Sequence, residues 1–189
     1  MRLLLCISAI LLVALPDGSR AADEFAGPRT EMVQLIKEIG WGSDTAVGRT
    51  EVDPRVLAVM GDVPRHQFVP EDLRRSAYAN RPLPIGFGQT ISQPLVVALM
   101  TDLLLLEADQ AVLEVGTGSG YHAAVLAGLV DRVYTIEIIP ELAETAAERL
   151  SRLELENVEV RTGDGYYGWE AAAPFDRILV TVAGGSLPP

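Results

Sequence analysis

A chain of 189 residues that is 49% hydrophobic has material for one well-filled core and little for a second, so a single domain is the default. Fifteen basic residues against 26 acidic ones leave a net charge of −11, a field that repels phosphate backbones, so nucleic acid is not an expected partner. With one cysteine, Cys6, and two histidines, His66 and His122, neither a disulfide framework nor a metal cluster is expected, and both imidazoles read as local hydrogen-bonding groups.

The first residues form a unit of their own. Arg2 precedes an apolar stretch from Leu3 to Leu15, then comes the breaker Pro16 and the small-residue ending Ser19-Arg20-Ala21. This is a secretory signal pattern with cleavage expected after Ala21. The apolar run is too short for a permanent membrane anchor, which needs roughly 20 residues. Export to the periplasm or beyond is therefore expected, with a misassigned start and a cytoplasmic protein as the alternative.

Residues 22 to 30 read as a linker. Met32, Leu35, Ile36 and Ile39 then recur at helical spacing, so a helix is expected from Glu31 to Ile39. Asp53-Pro54 is a helix start, with an acid at the cap and proline in the first turn, and that helix should end near Gly61. Pro82 to Gln89 is rich in proline and glycine and reads as loop. It leads through Thr90-Ile91-Ser92 into a helix from Pro94 to Leu106 with almost no polar face, expected to be buried.

From Ala111 the pattern alternates. Strand-like AVLEVG, RVYTIE, NVEVR and DRILVTVA are separated by helical stretches at Tyr121 to Val130 and Glu141 to Leu153. Such alternation predicts an α/β fold with a parallel sheet and right-handed crossovers, in strand order 3-2-1-4. The last strand, Asp176 to Ala183, then lies at an edge, although its apolar run has the character of a strand buried on both faces. The chain divides into a signal-like peptide (1–21), a helical part with a loop (22–106) and an α/β core (107–189).

Ligand chemistry in such a sheet belongs at the carboxyl ends of the strands. Gly116-Thr117-Gly118-Ser119-Gly120 ends the first strand and opens a helix, so backbone can pass close to a ligand at a positively polarised helix end. A dinucleotide fingerprint needs glycine at position 121, where Tyr121 stands, and NAD or FAD is disfavoured. Glu137 closes the second strand about 20 residues beyond Gly116, the spacing at which an acid accepts ribose hydroxyls. Asp164 and Gly165 follow the third strand in a turn, where Asp164 either meets an adenine amino group or only forms the turn.

Several blocks resemble the protein-L-isoaspartate (D-aspartate) O-methyltransferases. They are Val63-Pro64-Arg65-His66-Gln67-Phe68-Val69-Pro70, Leu83-Pro84-Ile85-Gly86, Gly88-Gln89-Thr90-Ile91-Ser92-Gln93-Pro94, the glycine loop, Gly163-Asp164-Gly165 and Ala173-Pro174-Phe175-Asp176. The resemblance implies a Rossmann-like S-adenosylmethionine-dependent fold with an N-terminal helical extension. It implies cofactor binding by Gly116, Thr117, Gly118, Gly120, Glu137, Asp164 and Gly165, and substrate contacts from Thr90 and Ile91. Ser92 is the implied active-site residue, and isoaspartyl proteins or peptides are the implied substrates.

It also implies strands beyond Gly184 to Pro189, so the sheet is expected to lack its C-terminal strands. Physically, Ser92 and free N–H groups at the following helix start would hold an acceptor carboxylate. The plainer alternative is that Ser92 only caps that helix. Two functional alternatives stay open: methylation of another carboxylate or small molecule, and a non-catalytic S-adenosylmethionine-binding protein. Thr181-Val182-Ala183-Gly184 lacks the Asp/Asn-Pro-Pro-aromatic motif used for amide and exocyclic-amine methylation.

Overall fold

The computed structural model describes residues 23–42 and 48–182. The signal-like segment and the Gly184 to Pro189 end lie outside them. In chain order the elements are helix α1 (Ala26–Ile39), helix α2 (Pro54–Asp62), strands β1 (Leu83–Gly86) and β2 (Gln89–Ile91), and helix α3 (Pro94–Leu103). Strand β3 (Ala111–Val115), helix α4 (Tyr121–Ala127), strand β4 (Arg132–Glu137), helix α5 (Pro140–Arg152), strand β5 (Val158–Thr162) and strand β6 (Arg177–Val180) follow.

The four core strands run parallel in the order β5-β4-β3-β6, which is the 3-2-1-4 order that the alternation predicts. Helices α4 and α5 return the chain between strands, and their buried faces (Tyr121 to Leu126; Leu142, Ala143, Ala146, Leu150) pack toward the sheet. Among the described residues β6 pairs with β3 alone. On this edge strand Leu179 is buried, whereas Ile178 is 57% exposed, an apolar side chain uncovered among the described residues.

The N-terminal part departs from expectation at three places. Helix α1 begins at Ala26, inside the expected linker. Pro28 is tolerated there because the first turn has no intrahelical partner for the N–H that proline lacks. The expected loop at 82–89 is instead a hairpin, Leu83 pairing with Ile91 and Gly86 with Gln89. Its two-residue turn is Phe87-Gly88, both at positive φ (54° and 71°), the backbone of a type I′ turn. Helix α3 stops at Leu103 rather than Leu106, since Leu105 adopts φ 51°; Val96 and Leu103 on it are exposed.

Asp102 on α3 fastens the helical part to the core. Its carboxylate accepts from Trp41 Nε1 (2.6 Å), Arg49 Nη1 (2.9 Å) and the Asp53 N–H (3.0 Å). Asp53 in turn caps α2 by accepting from the Arg55 N–H. No helix of the described residues is long and apolar enough to cross a membrane.

Candidate active site

Where β3 ends, the chain turns on Gly116 (φ 104°), whose N–H and that of Thr117 both donate to the Ile136 carbonyl at 2.8 and 3.2 Å. A Cβ at Gly116 would lie 2.5 Å from both Thr181 Oγ1 and Val182 Cγ1. Only glycine fits this close approach between the loop and the end of β6. Gly118 (φ 52°) donates its N–H to Glu137 Oε2 at 2.8 Å, and Glu137 Oε1 accepts from the Ile139 N–H at 3.0 Å. Glu137 thus ties the glycine loop to the end of β4. Each of its oxygens keeps a lone pair for a further donor.

Gly165 sits after β5, where a Cβ would meet Val115 Cγ1 at 2.3 Å. Asp164 is exposed and accepts from the Tyr166 N–H at 2.9 Å, so it does form its turn; its second oxygen stays available. Gly120 is placed differently from its neighbours. It caps α4 at φ 84° and does not line the cavity described below; a Cβ there would press on Ala146 Cβ at 3.3 Å. Its contact is with α5.

Under the loop runs a buried chain of hydroxyls that the sequence analysis missed. The β3–β4 register sets Glu114 opposite Thr135. Thr135 Oγ1 donates to Glu114 Oε2 and meets Thr117 Oγ1, both at 2.6 Å. Glu114 is fully buried and its Oε1 has no partner. Burial pushes its carboxyl up to about 8, the Thr135 hydrogen bond opposes the rise, and the nearby Glu137 charge adds to it.

His122 is also buried, its Nε2 2.8 Å from Thr101 Oγ1. That hydroxyl donates its proton to the Val97 carbonyl, so the imidazole must carry its proton on Nε2. Burial, and then the Arg65 charge, lower His122 to about 3. His66 bonds Tyr78 through Nδ1 at 2.8 Å. Both histidines therefore act as local hydrogen-bonding groups.

The hairpin delivers the other wall. Thr90 is exposed, Ile91 buried and Ser92 half-buried. Ser92 is not the helix cap: that position belongs to Gln93, whose side chain makes no capping hydrogen bond. The helix start is also poorer in free donors than expected. Pro94 has no N–H, and that of Leu95 is given to Asn80 Oδ1 at 3.1 Å. The Ser92 hydroxyl is thus not committed to the fold as a cap.

These walls enclose a cavity of about 720 Å³. Thr90, Ile91 and Ser92 line it together with Gly116, Thr117, Gly118, Glu137, Asp164 and Gly165. Every site residue expected from sequence except Gly120 meets in this one space. The volume suits a ligand of nucleoside-plus-amino-acid size. The side-chain-free backbone at Gly116 and Gly118, and carboxylates at the strand ends, fit a cationic nucleoside cofactor. Glu114, Tyr121 and His122 also line it.

The family model described as protein-L-isoaspartate(D-aspartate) O-methyltransferase (PCMT) matches residues 45–189. A protein-L-isoaspartate O-methyltransferase 2 of Syntrophobacter fumaroxidans is 56% identical over 183 residues, 95% of this chain and 74% of the relative. A protein-L-isoaspartate O-methyltransferase 1 of Cupriavidus necator is 53% identical over 188 residues, 99% of this chain and 73% of the relative. The chain thus spans about three quarters of the length of these relatives.

Among solved structures, a protein-L-isoaspartate O-methyltransferase superposes with TM-score 0.72 at 29% identity, covering 85% of this chain and 50% of that one. A second, described as a putative protein-L-isoaspartate O-methyltransferase from Plasmodium falciparum in complex with S-adenosyl-L-homocysteine, superposes with TM-score 0.68 at 23% identity. It covers 85% of this chain and 76% of that one, and shares the fold.

Proposed function

The chain belongs to the protein-L-isoaspartate(D-aspartate) O-methyltransferase family, and on that premise we propose how its cavity methylates the α-carboxyl of L-isoaspartyl residues in damaged proteins or peptides. The enzyme depends on S-adenosylmethionine and serves protein repair. The observation that carries the reading is the meeting of the Ser92 segment with the β3, β4 and β5 ends in one cavity.

When bound, S-adenosylmethionine supplies a methyl group on a cationic sulfur. An isoaspartyl carboxyl is already ionised at neutral pH, so no strong general base is required and positioning dominates. Gly116 and Gly118 bring backbone close to the cofactor, with Thr117 between them. Glu137 would accept from its ribose, and the free oxygen of Asp164 from its adenine, beside Gly165. Thr90 and Ile91 flank the acceptor, and the Ser92 hydroxyl donates to its carboxylate. Transfer leaves S-adenosylhomocysteine and a methyl ester; the following backbone amide nitrogen then attacks the ester carbonyl, expels methanol and closes a succinimide, which water reopens to aspartate or back to isoaspartate for another round.

Ser92→Ala is expected to lower turnover on an isoaspartyl peptide by roughly tenfold, the worth of one hydroxyl hydrogen bond to a charged group. Because the hydroxyl caps nothing, the midpoint of urea unfolding should move by less than about 0.5 kcal/mol equivalent. Wild-type turnover in the variant would remove Ser92 from the reaction. The acceptor class is tested by peptides differing only in isoaspartate against aspartate; equal labelling of both would overturn it.

We also propose export, on the Leu3 to Leu15 run and the Ala21 ending. Mass spectrometry of the protein from its native host should find Ala22 at the N-terminus. A cytosolic protein retaining Leu3 would end that proposal.

A further inference from the structure

Among the described residues the cavity is lined by three acids, Glu114, Glu137 and Asp164, and by no lysine or arginine. Under the function proposed above, a carboxylate must nonetheless reach Ser92. The helix start beyond Ser92 offers little help, since Pro94 lacks an N–H and Leu95 has given its own to Asn80.

Directly behind Ser92 stands Arg65, which is 0% exposed. Its Nη2 donates to the Ser92 carbonyl and its Nε to the Ala77 carbonyl, both at 2.7 Å. Its guanidinium carbon lies 4.6 Å from the centre of the Tyr121 ring. Ser92 and Tyr121 both line the cavity, so Arg65 is one layer from the space where the acceptor must lie. Among the described residues no carboxylate pairs with it; besides the two carbonyls its guanidinium meets only the neutral Tyr121 side chain.

A buried guanidinium without an anion is costly to the fold. Two backbone carbonyls and an aromatic face soften that cost without neutralising the charge. The charge is felt in the cavity wall: after burial, it is what depresses the basicity of His122. In a desolvated interior such a field is screened far less than that of a surface lysine.

We propose that Arg65 is the buried counter-charge of the acceptor, a specificity residue that favours an ionised α-carboxyl over a neutral group at Ser92 without touching it. The inference rests on the reading of the acceptor as a carboxylate. During transfer the acceptor oxygen loses its negative charge as the new O–C bond forms, and sulfur loses its positive charge as the S–C bond breaks. Arg65 therefore stabilises bound substrate more than the transition state, and its removal raises KM rather than lowering kcat.

The test uses the full chain, saturated with S-adenosylhomocysteine, and two peptides: an isoaspartyl peptide and its twin with an α-carboxamide. Calorimetry on the wild type should show about tenfold preference for the carboxylate. Arg65→Met should abolish that preference while keeping S-adenosylhomocysteine affinity, with kcat within about threefold of wild type. Arg65→Lys, which retains a charge but not the fork, should restore most of the preference.

If Arg65 were only a strut for the Ser92 and Ala77 carbonyls, both variants would lose kcat and bind both peptides poorly; that outcome overturns the proposal. Equal binding of the two peptides by the wild type overturns it without any variant. Failure of the wild type to methylate the isoaspartyl peptide would instead strike the proposed acceptor, leaving the binding preference to decide the role of Arg65.

Discussion

Glu137→Ala is expected to weaken S-adenosylhomocysteine binding by about 2–3 kcal/mol, roughly 30- to 150-fold in Kd. Glu137 is only 6% exposed and holds two backbone N–H groups, Gly118 at 2.8 Å and Ile139 at 3.0 Å. Both are charge-assisted bonds, about twice as strong as neutral ones. Truncation frees the glycine loop from β4 and leaves both donors without their acceptor. It also removes the proposed ribose partner.

Glu137→Gln separates these effects. It keeps the shape and one acceptor oxygen, but turns an amide N–H₂ toward one of the two backbone donors. Its loss should be real and smaller than that of alanine. Calorimetry with S-adenosylhomocysteine checks both, and an unchanged Kd in the alanine variant would exclude Glu137 from the cofactor site.

The alternation of strands and helices after Ala111 was enough to predict β5-β4-β3-β6, because parallel strands with crossovers have few allowed orders. The glycine loop and Glu137 were legible for a related reason: their positions at strand ends follow once the strands are placed. The hairpin at Leu83–Ile91 was not. Its turn puts Phe87, a bulky residue, at positive φ, where glycine or asparagine is the usual signal. Gly120 looked like its neighbours in the loop, yet the turn into α4 rotates it toward Ala146.

The Glu114–Thr135–Thr117 chain was hidden because it depends on cross-strand register, which no local pattern reports. Arg65 left little trace: it stands with the polar His66 and Gln67 between Val63-Pro64 and Phe68-Val69, where a surface turn is the plain reading. Only the fold shows that it is buried behind Ser92. Similarly, the Leu95 N–H at the helix start is taken by Asn80, 15 residues away. Long-range partners of this kind decide what a site offers, and they are set by packing.

Glu114→Gln is expected to be more stable than the wild type at alkaline pH, with the difference growing as pH rises from about 4.5 to about 8. The carboxyl has an ordinary value of 4.5 and is pushed up to about 8 in the folded chain. Between those values the native state binds a proton that the unfolded state has released, so stability must fall as pH rises, by about 1.4 kcal/mol per unit at most. The contribution is whole below 4.5, declines through the window and is gone above 8.

Glutamine removes this slope because it cannot ionise. Its amide oxygen can take the Thr135 hydrogen bond at the Oε2 position, and its N–H₂ occupies the place of Oε1, which has no partner to lose. The variant therefore stands in for the protonated acid. Urea unfolding of both proteins from pH 4.5 to 9 should give parallel m-values and curves that separate by a few kcal/mol before running parallel above pH 8. A gap that stays constant across the window would mean that Glu114 is ionised at neutral pH, with its unpaired oxygen carrying charge in the floor of the cavity.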